Sequence, residues 1–308
     1  MVNNLQISVC IPVFNSEKTI LKLVEEVKNK LYRHNLEVIL VNDGSKDASE
    51  EICIGLADKY DFVKFISLRK NFTYHNAVLC GLTYVTGDYV AIIDDDFQNP
   101  PSEILLLIEE AQHGGYDVVY SRYEEKKHHW FRNLGSQFNG MVATWLLGKP
   151  KGLYLSSSKL IIKEVVNEII KYSGPFPYID GLIFRVTDNI GVKTVKHVDR
   201  LEGDSNYTLS KLIAQWMNMF VNFSIKPLRL ATFSGLIIST ASFIIGMFFI
   251  IDKILHPDII LGWTSLIAAI LFFSGIQILF LGLLGEYLGK QYLDQSGTPA
   301  YVVKKEYL

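Results

Sequence analysis

The chain has 308 residues, of which 49% are apolar, and a formal net charge of −2 at pH 7. This length and apolar content provide for a large core and for more than one domain. The near-neutral charge excludes nucleic acid as a partner, because binding to phosphate backbones needs a basic surface. The three cysteines, Cys10, Cys53 and Cys80, show no pairing or metal-binding spacing and are interpreted as core thiols in a reducing compartment.

Apolar strand-like runs alternate with amphipathic helical segments over the first 120 or so residues. The predicted strands are QISVCIPV, LEVILVND, FVKFISL, DYVAIID and YDVVYS. The predicted helices between them are SEKTILKLVEEVKNKLYRH, DASEEICIGLADKY, YHNAVLCGLTYV and SEILLLIEEAQHG. This alternation predicts a mostly parallel sheet with helices on both faces. No Gly-rich phosphate loop occurs, which excludes the nucleotide fingerprints of dehydrogenases and P-loop ATPases.

Three consecutive aspartates follow the fourth predicted strand, in DYVAIIDDDFQNPP. Because side chains alternate on an extended segment, Asp94 and Asp96 should share one face and Asp95 the other, with Gln98 on the first face if the chain stays extended. Two carboxylates and a neutral oxygen, with positions left for water and phosphate, suit Mg²⁺ or Mn²⁺. A solvated acidic turn is the alternative. The carboxyl end of a buried strand favours a site, because open α/β sheets bind ligands there.

Two further polar loops follow predicted strands and should lie at the same edge of the sheet. In IPVFNSEKT, Pro12 and Asn15 end the first strand, and Ser16 can cap the next helix. In VNDGSKD, Asp43 and Gly44 belong to a turn before the second helix. Each loop alone is an ordinary strand-to-helix turn.

Two long uncharged runs follow, Leu230–Ile251 with 22 residues and Ile259–Gly285 with 27. Each exceeds the roughly 20 residues that cross a bilayer, so a transmembrane hairpin is predicted. Basic residues flank its outer ends: Lys226, Arg229, Lys290, Lys304 and Lys305. This bias predicts that both outer ends are cytoplasmic and that the connector DKILHPD is on the far side. The N-terminal sequence lacks a signal-peptide pattern, so the first domain is expected in the cytosol.

The predicted organisation has four parts: an α/β domain at 1–208, a juxtamembrane helix at 209–228, two transmembrane helices at 229–289 and a cytosolic tail at 290–308. The juxtamembrane sequence TLSKLIAQWMNMFVNFSI has apolar residues at helical spacing. This pattern fits a helix along the membrane interface and fits an ordinary core helix equally well.

The three polar loops, in this order and spacing, resemble those of the family 2 glycosyltransferases with the GT-A fold. The similarity continues through RKNFTYHNAVLCGLTYVTGDYVAIIDDDFQNPP, GYDVVYSRY, WFRNLGSQFN, RLEGDSNYTLSKL and GLLGEYLGKQYLDQSGTPAYVV. This full-length pattern is similar to the polyprenyl-phosphate glycosyltransferases, which include dolichyl-phosphate mannosyltransferase and bacterial undecaprenyl-phosphate sugar transferases. It implies a Rossmann-like, mostly parallel sheet domain followed by a two-helix transmembrane hairpin.

The resemblance implies roles for the matching residues. The residues matching the loop around the nucleotide base and ribose are Pro12, Phe14 and Glu17, and Asp43 matches the group that hydrogen-bonds the base. Asp94, Asp96 and Gln98 match the ligands of Mg²⁺ or Mn²⁺ on the donor diphosphate. Those matching the acceptor-phosphate site are Arg122, Arg132 and Ser136, while Arg200 and Ser205 match a loop that closes over the donor phosphates.

The implied activity is inverting transfer of a sugar from a nucleotide sugar, with UDP-sugars favoured, to undecaprenyl phosphate. An acceptor phosphate is already anionic, so it needs no strong base, and the site has to neutralise charge through arginines and a metal ion. The resemblance places the protein in the bacterial inner membrane, with its catalytic domain facing the cytoplasm. It implies a part in cell-envelope glycan modification, such as that of lipopolysaccharide, and is compatible with a homo-oligomer.

The sequence departs from the family pattern at several positions. Thr73 and Tyr74 stand where the family commonly has Gly and Gln. Gly152 and Tyr154 lie where related bacterial enzymes carry an aspartate and an arginine, so no base or sugar-binding role transfers there. Asp95 occupies a position that is usually small and is expected to face solvent.

The sequence leaves the role of Asp180 open and allows two alternative functions to be compared with the implied one. Asp180 could bind a sugar hydroxyl or act as a base, or it could cap a helix. A processive synthase of other glycan chains is disfavoured because no tryptophan follows an arginine, as in the Gln-x-x-Arg-Trp segment of such enzymes. A non-catalytic nucleotide-sugar-binding membrane scaffold would be expected to lack the metal ligands and phosphate-binding arginines, which are present here.

Overall fold

A computed structural model of the protein describes residues 5–123, 144, 149–150, 153–195, 226–255 and 262–308. The chain forms two compact units. The first comprises Met1–Leu209 together with Gly297–Leu308, and the second comprises Ser210–Ser296. Most of the predicted juxtamembrane helix, at 209–228, lies outside the described residues.

The bounds of the elements are as follows. The strands are β1 (Gln6–Val13), β2 (Asn35–Asn42), β3 (Val63–Leu68), β4 (Tyr89–Ile92), β5 (Val118–Tyr123), β6 (Lys159–Ile162), β7 (Ile190–Val195) and β8 (Val303–Tyr307). The helices are α1 (Ile20–Leu31), α2 (Ser49–Lys59), α3 (Tyr74–Leu82), α4 (Glu103–Gly114), α5 (Lys163–Ile169), α6 (Ile179–Val186), α7 (Lys226–Leu255) and α8 (Trp263–Gln295). The five strands and four helices predicted before residue 121 are all present.

All eight strands form one sheet, in the order β7-β5-β6-β4-β1-β2-β3-β8. Strand β1 is parallel to β2 and β4, β2 is parallel to β3, and β5 is parallel to β7. Because β6 is antiparallel to both β4 and β5, those two strands run in the same direction. The carboxyl ends of β1–β5 and β7 therefore share one edge of the sheet. The expected mostly parallel sheet is confirmed.

The central strands are buried on both faces, which explains why their sequences do not alternate. In β1, every residue from Ile7 to Val13 is buried, as are the last six residues of β2. Continuous apolar strands of this kind are typical of parallel sheets that helices cover on both sides. Helix α1 supplies part of that cover through residues at helical spacing: Ile20, Leu23, Val24, Val27 and Leu31.

Strand β8 comes from the segment that was expected to be a cytosolic tail. It pairs antiparallel with β3, with Phe65 opposite Tyr307 and Leu68 opposite Val303. The last twelve residues thus complete an edge of the sheet, although the two apolar helices separate them from it in sequence.

Helices α7 and α8 contain two segments long and apolar enough to cross a membrane, Lys226–Phe248 and Phe272–Gln295. The most apolar 18-residue window of each segment is 0% buried, whereas a core helix of a soluble protein would be mostly buried. The Oγ1 atoms of Thr232 and Thr240 donate to carbonyls four residues earlier, at 3.0 and 2.9 Å. These polar groups are thus satisfied within their own helix, as apolar surroundings require.

A buried carboxylate joins the first three strands to the loop before β4. Glu37 accepts hydrogen bonds from the Ser8 hydroxyl, from Lys64 Nζ at 2.9 Å, and from the backbone N–H groups of Thr86 and Gly87. Burial alone would raise the pKa of Glu37, but these hydrogen bonds hold it below its usual value of 4.5.

We expect Glu37→Gln to lower the free energy of unfolding by about 1.5–3 kcal/mol, because an amide must turn its NH₂ group toward some of these donors. The folded pKa lies below the unfolded one, so this stabilisation is complete above about pH 4.5 and is lost as the pH falls through the folded pKa. Thermal midpoints in detergent between pH 3 and pH 7 (roughly the span of carboxylate titration) measure both effects. Glu51→Gln, on the exposed face of α2, is the control. Equal midpoints for the two variants at pH 7 would contradict the prediction.

Candidate active site

The loops after β1 and β2 are fastened to each other at the shared edge of the sheet. Each donates backbone N–H groups to side chains of the other. The bonds are Asn15 N to Ser45 Oγ (3.0 Å), Lys46 N to Asn15 Oδ1 (2.8 Å), Glu17 N to Asp47 Oδ2 (3.1 Å) and Ala48 N to Glu17 Oε2 (3.0 Å). Glu17, predicted to lie near the nucleotide base, thus also orders the second loop.

Asp43 directly follows β2 and is buried, with 3% of its surface exposed. Its Oδ1 accepts the backbone N–H of Phe72 at 2.6 Å. Burial raises the pKa of Asp43 to about 6, although hydrogen bonds from the backbone of Phe72 and Thr73 oppose this shift. The predicted base-binding residue is therefore fixed to the loop that leads into α3.

Close packing brings this loop against the turn after β2. Gly44 has φ +68°, and a Cβ there would lie 2.7 Å from Asn71 N and from Lys70 C. A side chain at position 44 would therefore push the loop away. Thr73 also has a positive φ, 79°, which is strained for a β-branched residue.

Asp94, the first of the three aspartates, is half-buried directly beyond β4. Its Oδ2 accepts hydrogen bonds from the Ser157 hydroxyl and from Asn99 Nδ2, the latter at 3.5 Å. Burial and the charge of Asp96 raise the pKa of Asp94, while the bond from Ser157 and the neighbouring Tyr74 hydroxyl lower it. Ser157 lies just before β6, so a strand that the sequence did not reveal supports a predicted metal ligand.

Asp95 was expected to face solvent, and the structure shows that this was wrong. Its Oδ2 accepts the backbone N–H of Phe14 at 3.0 Å and the hydroxyl of Ser16. Burial raises the pKa of Asp95 to about 6, against the effect of these hydrogen bonds. Asp94 and Asp95 thus turn to different loops, in agreement with the predicted alternation, and Asp95 holds the β1–α1 loop.

The chain does not stay extended beyond Asp95, so the alternation argument fails for Gln98. Phe97 has φ 63°, and Gln98 N donates to Asp96 Oδ1 at 3.1 Å within a turn. The assignment of Gln98 as a metal ligand then depends on the family resemblance alone.

The chemistry of the two carboxylates fits a divalent cation. Asp94 is partly buried and experiences the negative charge of Asp96, a repulsion that a cation would relieve. Within the described ranges, no group of three or more His, Cys, Asp or Glu side chains is arranged to hold a metal. An ion held by two carboxylates, those of Asp94 and Asp96, would keep positions for other oxygen ligands, as Mg²⁺ and Mn²⁺ do at substrate phosphates.

Asp180 belongs to a buried charge pair, and it does not cap its helix. Its Oδ1 accepts hydrogen bonds from Lys159 Nζ and from the Tyr120 hydroxyl, the latter at 2.7 Å. Lys159 lies opposite Ile92 of β4 and Tyr120 of β5. Removing one partner of a buried ion pair strongly lowers the free energy of unfolding. This pair therefore helps to hold in place the strands next to Asp94. Lys159 and Ser157 were not predicted as site residues, and the signal that indicated them was the polar run SSSK before an apolar strand.

Other predicted site residues are described only in part. Pro12 is buried in β1, opposite Val41, and Phe14 is 42% exposed beside it. Arg122 is exposed near the carboxyl end of β5, the shared edge of the sheet, and lies opposite Thr194. The remaining predicted residues lie outside the described part of the chain: Arg132, Ser136, Arg200 and Ser205.

Known proteins with the same fold include glucosyl-3-phosphoglycerate synthase from Mycobacterium tuberculosis. Its complex with Mn²⁺, UDP-glucose and phosphoglyceric acid aligns with a TM-score of 0.54 at 19% identity, over 71% of this chain and 79% of that one. At this identity the likeness concerns the fold alone. It confirms the expected GT-A architecture.

Closer similarity exists to full-length bacterial proteins. The prophage bactoprenol glucosyl transferase homolog of Escherichia coli is 31% identical, over 98% of this chain and 99% of that protein. The undecaprenyl-phosphate 4-deoxy-4-formamido-L-arabinose transferase of Proteus mirabilis is 32% identical over 97% and 93%. The glycosyltransferase YkcC of Bacillus subtilis, itself uncharacterized, is 31% identical over 100% and 96%.

The model of the family named Glycosyl transferase family 2 matches residues 8–169, which include most of β1, all of β2 to β6 and the three aspartates. The match covers more than half of the chain, and the full-length relatives extend the similarity through the apolar helices. The protein is therefore a glycosyltransferase and belongs to glycosyl transferase family 2.

Proposed function

We propose that the protein transfers a sugar from a nucleotide sugar, UDP-sugars being favoured, to a polyprenyl phosphate such as undecaprenyl phosphate. The observation that carries this proposal is that one chain combines carboxylates at a single sheet edge with two unburied apolar helices. The carboxylate edge suits a water-soluble donor diphosphate with its cation, and the helices suit an acceptor in the bilayer. The names of the Escherichia coli and Proteus mirabilis relatives support the same acceptor.

The reaction is a direct displacement that inverts the anomeric centre. An oxygen of the acceptor phosphate forms a bond to the anomeric carbon, and the bond from that carbon to the donor diphosphate breaks, releasing a nucleoside diphosphate. The attacking phosphate is anionic at neutral pH, so no strong general base is needed. Asp180 is not assigned that role, because Lys159 and Tyr120 already engage its carboxylate.

The site residues then act by binding and by neutralising charge. Asp43 would bind the nucleobase, and Asp94 and Asp96 would hold Mg²⁺ or Mn²⁺, which offsets the negative charge of the leaving diphosphate. Arg122 would bind the acceptor phosphate from the end of β5. Arg132, Ser136, Arg200 and Ser205 join this assignment through the family resemblance.

Purified full-length protein, incubated with Mn²⁺, undecaprenyl phosphate and a panel of nucleotide sugars, tests the proposal. Mass spectrometry of the lipid fraction should show one glycosyl phosphate lipid, with a matching amount of nucleoside diphosphate in the aqueous phase. Binding of donor and metal without any lipid-linked sugar would support the scaffold alternative and refute the enzyme assignment. Successive sugar additions would support a synthase of longer glycans.

We expect Asp96→Asn to weaken Mn²⁺ binding more than about tenfold and to abolish transfer, because it removes a ligand charge. Asp95→Asn is the matched control. Both hydrogen bonds to Asp95 end on Oδ2, and an amide oxygen can accept both, so metal binding and turnover should persist. Electron paramagnetic resonance of free Mn²⁺ measures the affinity independently of activity. Equal losses of affinity in both variants would contradict the assignment of Asp96.

We further propose a location in the bacterial inner membrane, with both helices spanning it and the catalytic unit in the cytoplasm, where it would serve cell-envelope glycan modification. The native cysteines are all buried, so the unsubstituted protein should itself be labelled little, and the labelled band is read after purification of the protein. A cysteine replacing Asp258, between the two apolar runs, should react with an impermeant maleimide from outside. A cysteine replacing Ser296, after α8, should react only in permeabilised cells. Reaction of both from outside would refute this topology.

A further inference from the structure

The C-terminal segment 300–307 contacts the first turn of α3 and the loop just after α3, as well as β3. Along the lead-in to β8, the carbonyl of Val302 accepts the N–H of Arg69 at 2.9 Å, and the carbonyl of Ala300 accepts a hydrogen bond from Asn76 Nδ2. At the other end of α3, the Tyr84 hydroxyl donates to Glu306 Oε1 at 2.8 Å. The last residues of the chain therefore hold α3 near both of its ends.

Asn76 is the contact nearest to the proposed donor site. It lies in the first turn of α3, is 8% exposed, and its backbone N–H donates to the carbonyl of Thr73 at 3.1 Å. Immediately before it, Phe72 donates its N–H to Asp43, and Tyr74 lies beside Asp94. The first turn of α3 and the residues just before it thus contact both the proposed donor site and the C-terminal segment.

The conformation of this turn requires such support. Thr73 holds φ 79°, a region that a β-branched residue adopts only when its surroundings impose it. Asp43 stabilises this conformation by accepting the N–H of Phe72. Asn76 opposes movement of the turn away from Asp43, because that movement would leave the buried Asn76 side-chain amide without its acceptor, the Ala300 carbonyl.

We propose that the C-terminal segment positions the start of α3 for donor binding, and that Asn76 is the positioning residue that transmits this contact. The inference rests on the proposed function, since it takes Asp43 and Asp94 as donor-binding groups. It adds that the donor site is formed fully only when residues 300–307 are paired with β3.

Asn76→Ala tests the role of this contact in full-length protein. Loss of the Ala300 bond should raise both the dissociation constant for UDP and the KM for the nucleotide sugar about tenfold, the factor expected for one lost hydrogen bond to a positioned group. The KM for undecaprenyl phosphate should not change. Loss of folded protein would instead lower kcat and leave both KM values as they were, so this split separates positioning from stability.

Tyr84→Phe is the matched control, because it removes one bond to the same segment at the far end of α3. It should leave UDP affinity unchanged. If Asn76→Ala folds poorly, Asn76→Ser replaces it in the test. This milder change should give an intermediate loss of UDP affinity. Hydrogen exchange at the amides of residues 72–77 should be faster in Asn76→Ala and unchanged in Tyr84→Phe.

Equal UDP affinities for Asn76→Ala and the unsubstituted protein would overturn the proposal, as would equal losses in Asn76→Ala and Tyr84→Phe. If the unsubstituted protein binds no nucleotide and forms no product, the proposed function fails instead. The exchange of residues 72–77 then still decides whether Asn76 holds the start of α3.

Discussion

The site depends on carboxylates that are partly or fully buried at the ends of parallel strands and must therefore be hydrogen-bonded. Asp43 takes its donor from the loop before α3, and Asp95 takes its donors from the loop after β1. Asp94 takes its donor from Ser157, before β6. A buried carboxylate without hydrogen-bond donors would lower the free energy of unfolding at each of these positions. The loops that supply the donors therefore lie together at one edge of the sheet. The same buried charges create the local negative potential that suits a cation.

The central strands could be predicted because burial on both faces makes β1 and β2 apolar over most of their length. Helix α1 could be predicted from the helical spacing of its buried residues. The later strands gave weaker signals. Strand β6 has only four residues, and β8, with the sequence VKKEY, is an edge strand with mostly exposed side chains. The apolar run of β6 is too short to identify a strand, and β8 shows neither a hydrophobic run nor alternation. The pairing of β8 with β3 depends on contacts between distant parts of the chain.

The site was predictable to the extent that local geometry determines it. Alternation correctly separated Asp94 from Asp95, but it could not show that the face of Asp95 meets the β1–α1 loop. It failed at Gln98 because Phe97 adopts a left-handed conformation, which is rare for an aromatic residue. The pair of Lys159 and Asp180 joins β6 to α6 across 21 positions of sequence, so neither residue alone indicated it.

The pairing of β8 with β3 also constrains the order in which the protein can form. Residues 297–308 are synthesised after both apolar helices, yet their partner β3 ends at Leu68. During synthesis β3 is therefore an open sheet edge while α7 and α8 leave the ribosome, and an open edge can pair with other chains. Pairing of β3 with β8, a strand so distant in sequence, is a slow step that comes late in folding. The α/β unit can reach its final state only after the apolar helices have been made.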